Sequence, residues 1–487
     1  MKNYATLFFT ITLLTIFNSD KLSAGDSVLK YSTYLGPRKD FVFYAKYVGI
    51  GVDKKGCAYV STSIPEIGFP ATPDACQKTR SETAITKLSA DGSELIYSSF
   101  FGPPETWTRA YDMTVDDEGN AYLVGITDSE KFPATAGSYF SKPIGPYPRP
   151  YPHDGFLIKL DPTLKKVIYG TYLGDNSWDE VIAVALDSKG RAYATGDVGK
   201  DLGGRRIYKI NSDGSNAVYE HATAGYPYDI AVDAKGCAYI TGRSGTSRFK
   251  TTPRAYSRSF KQKTCDFVRK LDPSGNIVFS TYLRHGAGDV PHELFAGNSV
   301  AVDSKGCVYI CRATEYRREL TTVGAFDTLY NGGHDVYVLK LDPTGSHAIW
   351  ATYLGGTSDE LPKDLTVDGD GNVYVTGRTR SRNFPTTRTA LDRSHNGHHD
   401  MFLSVIAASG GKLLYSTVMG GKDYDTGQAL VLDQHNSLYV AGTTRSAVFP
   451  TTHGAYKRTY SGYKTKKFGG DVFVCKFDFG FLIRSVK

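Results

Sequence analysis

Between Asp335 and Asp342 the chain reads DVYVLKLD, with Val336 and Val338 on one side of an extended segment and Tyr337, Leu339 and Leu341 on the other. Side chains alternate faces along a strand, so a segment apolar on both faces predicts a strand whose sheet is covered on both sides. The pattern returns as AITKLSADG, DGFLIKLDPTL, RIYKINSDG, DFVRKLDPSG, DMFLSVIAASG and DVFVCKFDFG. Two further patterns interleave with it. One is a strand, a turn and a strand: VDKKGCAYV (from Val52), VDDEGNAYLVG (Val115), LDSKGRAYATG (Leu186), VDAKGCAYITG (Val232), VDSKGCVYICR (Val302), VDGDGNVYVTG (Val367) and LDQHNSLYVAG (Leu432). The other is an aromatic segment of the YSTYLG type, at Tyr31, Tyr97, Tyr169, Tyr219, Phe279, Trp350 and Tyr415.

Each pattern occurs seven times, with hairpin copies 46 to 71 residues apart, and a repeat of this kind governs the whole fold. One unit holds four short strands, a to d. The DxxGN and DPxG turns between a and b and between c and d suit tight antiparallel hairpins. Radial packing of roughly four to eight such sheets covers both faces of each. A sandwich would leave one polar face, and a solenoid would not need two tight hairpins per repeat. The predicted fold is all-β: a seven-bladed β-propeller of four-stranded antiparallel blades. The chain opens with a d segment at Tyr31 and ends with a c segment at Asp471, so the N-terminal strand should pair with the C-terminal blade and close the ring.

Loops of the FPTT type follow strand b at Phe69, Phe132, Phe384 and Phe449, with variants near Phe249 and Leu320. Repeat 3 lacks one, and repeat 7 has Gln434-His435-Asn436 in place of a glycine turn. With its YSTYLGG, AVDxxGNxYVTG, FPTT and DxFVxKLDPxG segments, the chain resembles the bacterial β-propeller repeat family known as SBBP, over nearly the whole mature length. It is more distantly similar to NHL propellers through VDxxGNxYV. The resemblance implies an exported or cell-surface binding scaffold more than any one activity.

Composition agrees with the pattern. The chain has 51 Gly, 34 Tyr and 25 Phe against 4 Met, as turn-rich, aromatic strands require. At the N-terminus, Lys2, an apolar run from Tyr4 to Phe17 and small residues at Ser23, Ala24 and Gly25 read as a secretion signal. This divides the chain into a leader, 1–24, and a propeller, 25–487. No other segment approaches the roughly 20 apolar residues of a spanning helix, so no membrane span is expected after signal removal. The expected location is periplasmic, cell-surface or extracellular. Seven cysteines leave at least one unpaired. Cys307 and Cys311 would sit about 13 Å apart on one strand face, too far to bond. The cysteines read as small buried residues, with one or two bridges among them.

The Asp that opens each hairpin, Asp53, Asp116, Asp187, Asp233, Asp303, Asp368 and Asp433, could be a metal ligand. Its place before a turn favours a carboxylate that accepts the following backbone N–H groups. A calcium loop counted from Asp368 would need Glu at its twelfth position, where Thr379 stands. A second set, Asp154, Asp266, Asp335, Asp400 and Asp471, opens strand c and reads as structural. His395, His398 and His399 in HNGHHD form the best metal candidate, although a polar loop is the favoured reading. His153, His334 and His399 each precede a strand-c Asp, a repeat-related position. Neither a metal nor a cofactor is expected. There is no G-x-S-x-G elbow, phosphate-binding loop, H-E-x-x-H or sialidase-type box.

The strongest asymmetry is charge. The stretches 243–264, 312–334, 378–399 and 443–470, which join b to c in repeats 4 to 7, carry twenty-one Lys and Arg against Glu315, Glu319, Asp327 and Asp392, although the whole chain is only +7. These loops should share one face with the d–a loops, and a face of one sign attracts ligands of the other. The candidate ligand-binding residues are Arg243, Arg248, Arg378, Arg380 and Arg382, as forked donors to sulfate, phosphate or carboxylate, with Tyr256 and Tyr456 as stacking surfaces. The expected function is an exported, non-catalytic binding or cell-surface interaction protein. It is expected to be monomeric and to recognise an anionic polysaccharide, another acidic polymer or a protein partner. The alternative is a secreted polysaccharide lyase or hydrolase on the same scaffold.

Overall fold

The turn after strand a sets the register of each repeat. In VDGDGN, the Asp368 carboxylate accepts the N–H groups of Asp370 (3.0 Å) and Asn372 (2.9 Å) and the hydroxyl of Tyr374 (3.1 Å). The same three bonds form at Asp53, Asp116 and Asp187 and at Asp233, Asp303 and Asp433. The turn glycine lies at positive φ, as Gly371 does at 89°; in repeat 7 Asn436 takes its place at 61°, a conformation Asn tolerates better than most side chains. In six repeats a strand-c lysine lies 4.5 to 5.0 Å from the tyrosine ring. Val405 replaces it in repeat 6.

The computed structural model describes residues 28–38, 47–63, 69–144, 153–175, 177–198, 205–260, 264–283, 298–460 and 470–480; the leader, 1–24, lies outside them. These residues form strand β1 (Leu29–Arg38) and then four strands per blade. Strands β2–β5 fall between Val48 and Phe101, β6–β9 between Arg109 and Leu173, and β10–β13 between Asp179 and Thr223. They continue as β14–β17 between Tyr226 and Tyr282, β18–β21 between Ser299 and Leu354, β22–β25 between Glu360 and Met419, and β26–β28 between Asp425 and Asp478. Six sheets follow chain order. The seventh is ordered β26-β27-β28-β1, with Thr33 opposite Val474 in an antiparallel pair. The expected seven-bladed propeller and its closure by the N-terminal strand are both present.

Cores form between blades, as the two-sided strands require. Tyr59 and Ile85 of blade 1 pack with Met113, Leu123 and Ile158 of blade 2, and at the closure Tyr31, Val472 and Val474 meet Val48, Ile50 and Val60. The YVTG glycine is also explained. Strand a bulges opposite it, and a Cβ on Gly377 would lie 2.1 Å from the Leu361 carbonyl oxygen.

The b–c loops take an unexpected path. They begin on the face they share with the d–a loops, then descend along the outer strand of their own blade. In blade 4, Thr252 N–H bonds Ser280 O (2.9 Å) and Ser257 O accepts from Tyr282 N–H (3.0 Å). Equivalent pairs form in blades 1, 2, 5, 6 and 7, so these outer edges are not left open for pairing with another chain. The loop phenylalanine anchors the descent, Phe249 stacking on Phe267 at 4.3 Å and Phe384 on Phe402 at 4.9 Å. In blade 3 only residues 199–204, outside the described residues, join strands b and c, and its outer strand β13 (Ala217–Thr223) alternates between half-buried and exposed residues up to a buried Thr223. All seven cysteines are free thiols; six are buried and Cys76 is exposed, so the expected bridges do not form.

Candidate functional site

The innermost strands of all seven blades enclose a cavity of about 260 Å³ on the ring axis. In blades 2, 3, 4, 6 and 7 this strand carries a β-bulge, and a bulge re-aims the residue it adds. The added residues, Tyr111, Ile182, Tyr228, Lys363 and Gln428, line the cavity. Tyr47, just before β2, joins them with its ring 4.0 Å from that of Tyr111.

One position further on stand Asp112, Asp229 and Asp364, in blades 2, 4 and 6. Each carboxyl accepts the N–H of the next residue, Met113 (2.8 Å), Ile230 (2.7 Å) or Leu365 (2.8 Å). Its other oxygen accepts an N–H from the following blade, Val184 (2.9 Å), Val300 (2.8 Å) or Leu430 (2.9 Å). These carboxyls therefore clasp blade 2 to 3, 4 to 5 and 6 to 7. The equivalent positions in blades 1, 3, 5 and 7 are Gly49, Ala183, Ser299 and Ala429.

Ser299 Oγ lies 2.8 Å from both Asp229 Oδ2 and Asp364 Oδ1. A hydroxyl has one proton to give, so one of the two carboxyls must be its donor. Burial pushes Asp112 up to about 7 and Asp229 to about 6; burial together with the Asp229 charge pushes Asp364 to about 8. Asp364 therefore carries the proton at neutral pH and donates to Ser299, which donates to Asp229. Sequence reasoning missed this group. The signal that finds it is an Asp four positions ahead of the hairpin Asp in repeats 2, 4 and 6 alone.

Residues 349–385 match the SBBP family, described as a beta-propeller repeat. That stretch covers the last strand of blade 5, the clasp Asp364, the hairpin of Asp368 and the loop phenylalanine Phe384. No curated protein matches the chain in sequence. Among solved structures it is similar to a chain of the mitotic checkpoint complex, at 8% identity and TM-score 0.48, covering 90% of this chain and 96% of that one. It is also similar to the Pan2 WD40 domain of Neurospora crassa, at 10% identity and TM-score 0.44, covering 91% and 95%. A third is the quinohemoprotein alcohol dehydrogenase of Comamonas testosteroni, at 12% identity and TM-score 0.43, covering 92% and 76%.

The residues expected to bind an anion do not all meet. Arg248, Arg380 and Arg382 are exposed, and Arg378 is half-buried at the end of β23 (Val373–Thr379). Arg380 reaches Asp359 at 3.3 Å, an exposed guanidinium on a half-buried carboxylate. Arg243 is placed differently from the sequence expectation. It lies within β15 (Ala238–Ser244), is only 8% exposed, and points its Nε at Asp266 Oδ1 at 2.8 Å. Arg312, counted among the loop charges, is also buried, between Asp266 (3.7 Å) and Glu319. Tyr256 and Tyr456 bond the c–d turns of the next blades through their N–H groups, to Gly345 O (2.9 Å) and Gly92 O (2.8 Å). Those turns are on the face opposite Arg380, so the tyrosines act as latches between blades and do not join the arginines. Lys261, Lys263, Lys464, Lys466 and Lys467 lie outside the described residues.

The strand-c aspartates are fully buried. Asp335 faces Glu360 across Gly355, and Asp400 faces Asp425 across Gly420; a Cβ on either glycine would collide with both carboxyls. Burial raises Asp335, Glu360 and Asp400 to about 7 and Asp425 to about 6. The histidine before Asp335 and before Asp400 packs against a residue that leads into the next blade. His334 Nδ1 is 2.9 Å from Asp359, and the His399 ring is 4.8 Å from Tyr424. Burial, with Arg378 and Arg380 nearby, lowers His399 to about 3. The His398 ring stacks on Tyr424 at 5.0 Å. Among the described residues, no three His, Cys, Asp or Glu side chains converge as a metal site.

Proposed function

We propose that the protein is exported and acts as a non-catalytic propeller that binds an anionic polymer along the basic band of blades 4 to 7. The observation that carries this reading is the run of solvent-exposed arginines at the start of four successive b–c loops: Arg248, Arg317, Arg380, Arg382 and Arg445. Because the loops descend, Arg258, Arg388 and Arg458 extend the band over the outer wall. A band of one sign suits a long chain of sulfate, phosphate or carboxylate groups better than a compact ligand. Elution from heparin resin across a salt gradient tests it. The double variant Arg380→Glu/Arg382→Glu should elute at clearly lower salt than the wild type, and elution at the same salt would remove the proposal.

The second reading, a polysaccharide lyase or hydrolase, draws on the three cavity carboxyls held near neutrality, a range suited to general acid–base work. Against it, their oxygens are engaged in joining blades. Incubation with heparin or polygalacturonate separates the two: a binder leaves polymer length unchanged, and an enzyme shortens it.

A further inference from the structure

The chain has three tryptophans. Trp350 is 3% exposed and donates its indole N–H to Ala408 O at 2.9 Å, an ordinary buried indole. Trp107 and Trp178 come from different loops, one entering blade 2 and the other blade 3, yet remain 47% and 46% exposed. Both pack on the same residue, His153, which precedes β8 (Asp154–Leu160) and is 3% exposed. The Trp107 and His153 rings are nearly parallel at 5.3 Å, and Trp178 meets the imidazole at 4.1 Å and 65°. Two large indoles held half in water by a buried third ring are a costly way to finish a surface, and such patches mark binding sites.

The platform is fixed from beneath and bordered by charged side chains of both signs. The Trp107 backbone N–H donates to Asp128 Oδ1 at 2.8 Å. The Arg109 guanidinium lies 4.8 Å from the Trp107 ring, and its Nε is 3.0 Å from Glu82 Oε2. Glu180, two residues beyond Trp178, accepts from the Tyr226 hydroxyl at 2.5 Å. Burial holds the His153 imidazole below its usual range. Asp128, Glu82 and Glu180 outnumber the Arg109 guanidinium, so the rim repels an acidic polymer. It does offer paired donors and acceptors, set beside flat apolar rings.

We infer that the loop face at the seam of blades 2 and 3 is a carbohydrate site in which Trp107 and Trp178 stack on the C–H faces of pyranose rings. Arg109, Glu82 and Glu180 bond the ring hydroxyls. The ligand class is an uncharged, equatorially hydroxylated oligosaccharide, the chemistry that combines flat apolar faces with a hydroxyl rim. The site is separate from the basic band of blades 4 to 7 and independent of the proposal made for it.

The test is calorimetric and tryptophan-emission titration of the full chain with cellohexaose, xylohexaose and chitohexaose, in about 0.5 M NaCl to screen the basic band. At least one probe should bind and shift the emission of the exposed indoles. Trp107→Ala and Trp178→Ala should each weaken it roughly tenfold or more, whereas Trp178→Tyr, which keeps an aromatic face, should stay within about threefold. Arg380→Glu/Arg382→Glu should bind these probes as the wild type does. The inference is overturned if none of the three binds, if the alanine variants bind as the wild type does, or if a proline-rich peptide shifts tryptophan emission while every sugar is silent. Thermal melts of the variants identify any loss that comes from unfolding, and the tyrosine variant then decides the outcome.

Discussion

Aspartate does three jobs in this chain, and neighbours decide which. The hairpin aspartates are satisfied within six residues of sequence, and that is why their role is legible from VDxxGN alone. Asp368 accepts from Asp370, Asn372 and Tyr374, so Asp368→Ala strands several donors and should cost about 1–3 kcal/mol in urea unfolding. The clasp aspartates take their second partner about 70 residues away, as Asp112 does from Val184, and no local pattern shows that. The strand-c aspartates Asp335 and Asp400 face acids from the next blade, Glu360 and Asp425, and are equally hidden. Clasp and seam carboxyls share a sign. A folded-state value raised above the unfolded one stabilises fully below the unfolded value, and that stability is lost as pH rises through the folded value. Buried histidines such as His399 act in the opposite direction, but only below about pH 6.5. Between about pH 6.5 and 8.5 the melting temperature should therefore fall, and Asp364→Asn should flatten that fall because it removes the group raised to about 8. An equal slope in the variant would show that Asp364 carries no proton.

Elements in this fold are closed by their loops. The sequence shows that FPTT loops exist and are basic, but a loop's path depends on which open backbone groups it can satisfy, and those belong to a strand some thirty residues on. For that reason Arg248 and Arg380 are found on the expected face while Tyr256 is carried to the opposite end of its blade. Arg243 fails as a surface residue for a simpler reason: strand β15 runs one turn of alternation further than its GR sequence suggests, and Asp266 stands opposite. The loop phenylalanine is the pin for the descent. Phe384→Ala removes a 5% exposed ring and should cost about 3–5 kcal/mol, with faster hydrogen exchange at the Thr387 and Val418 amides that join loop to outer strand.

For the whole molecule, the closing strand is the clearest case of sequence alone being enough, because a d segment at one end and a c segment at the other leave one complementary vacancy. Deleting residues 25–38 should expose the edge of β28 (Gly470–Asp478) and open the core of Tyr31, Val472 and Val474. The expected result is an aggregating chain without a cooperative melt, and recovery on adding the missing strand as a peptide would show that the defect is closure alone.

The clasps joining blade 2 to 3, 4 to 5 and 6 to 7 have a consequence in arithmetic. A device that alternates needs an even ring to repeat without a fault, and seven is odd. The mismatch falls on blade 1, where Gly49 stands in place of an acid and both neighbouring seams lack the carboxyl. Of those two seams, the one between blades 7 and 1 borders the blade in which the chain's ends interlock, and the other lies across blade 1 from it. The ring thus has a built-in parting line, and a sequence that grew or shrank by two blades at a time would keep every clasp and move only that line.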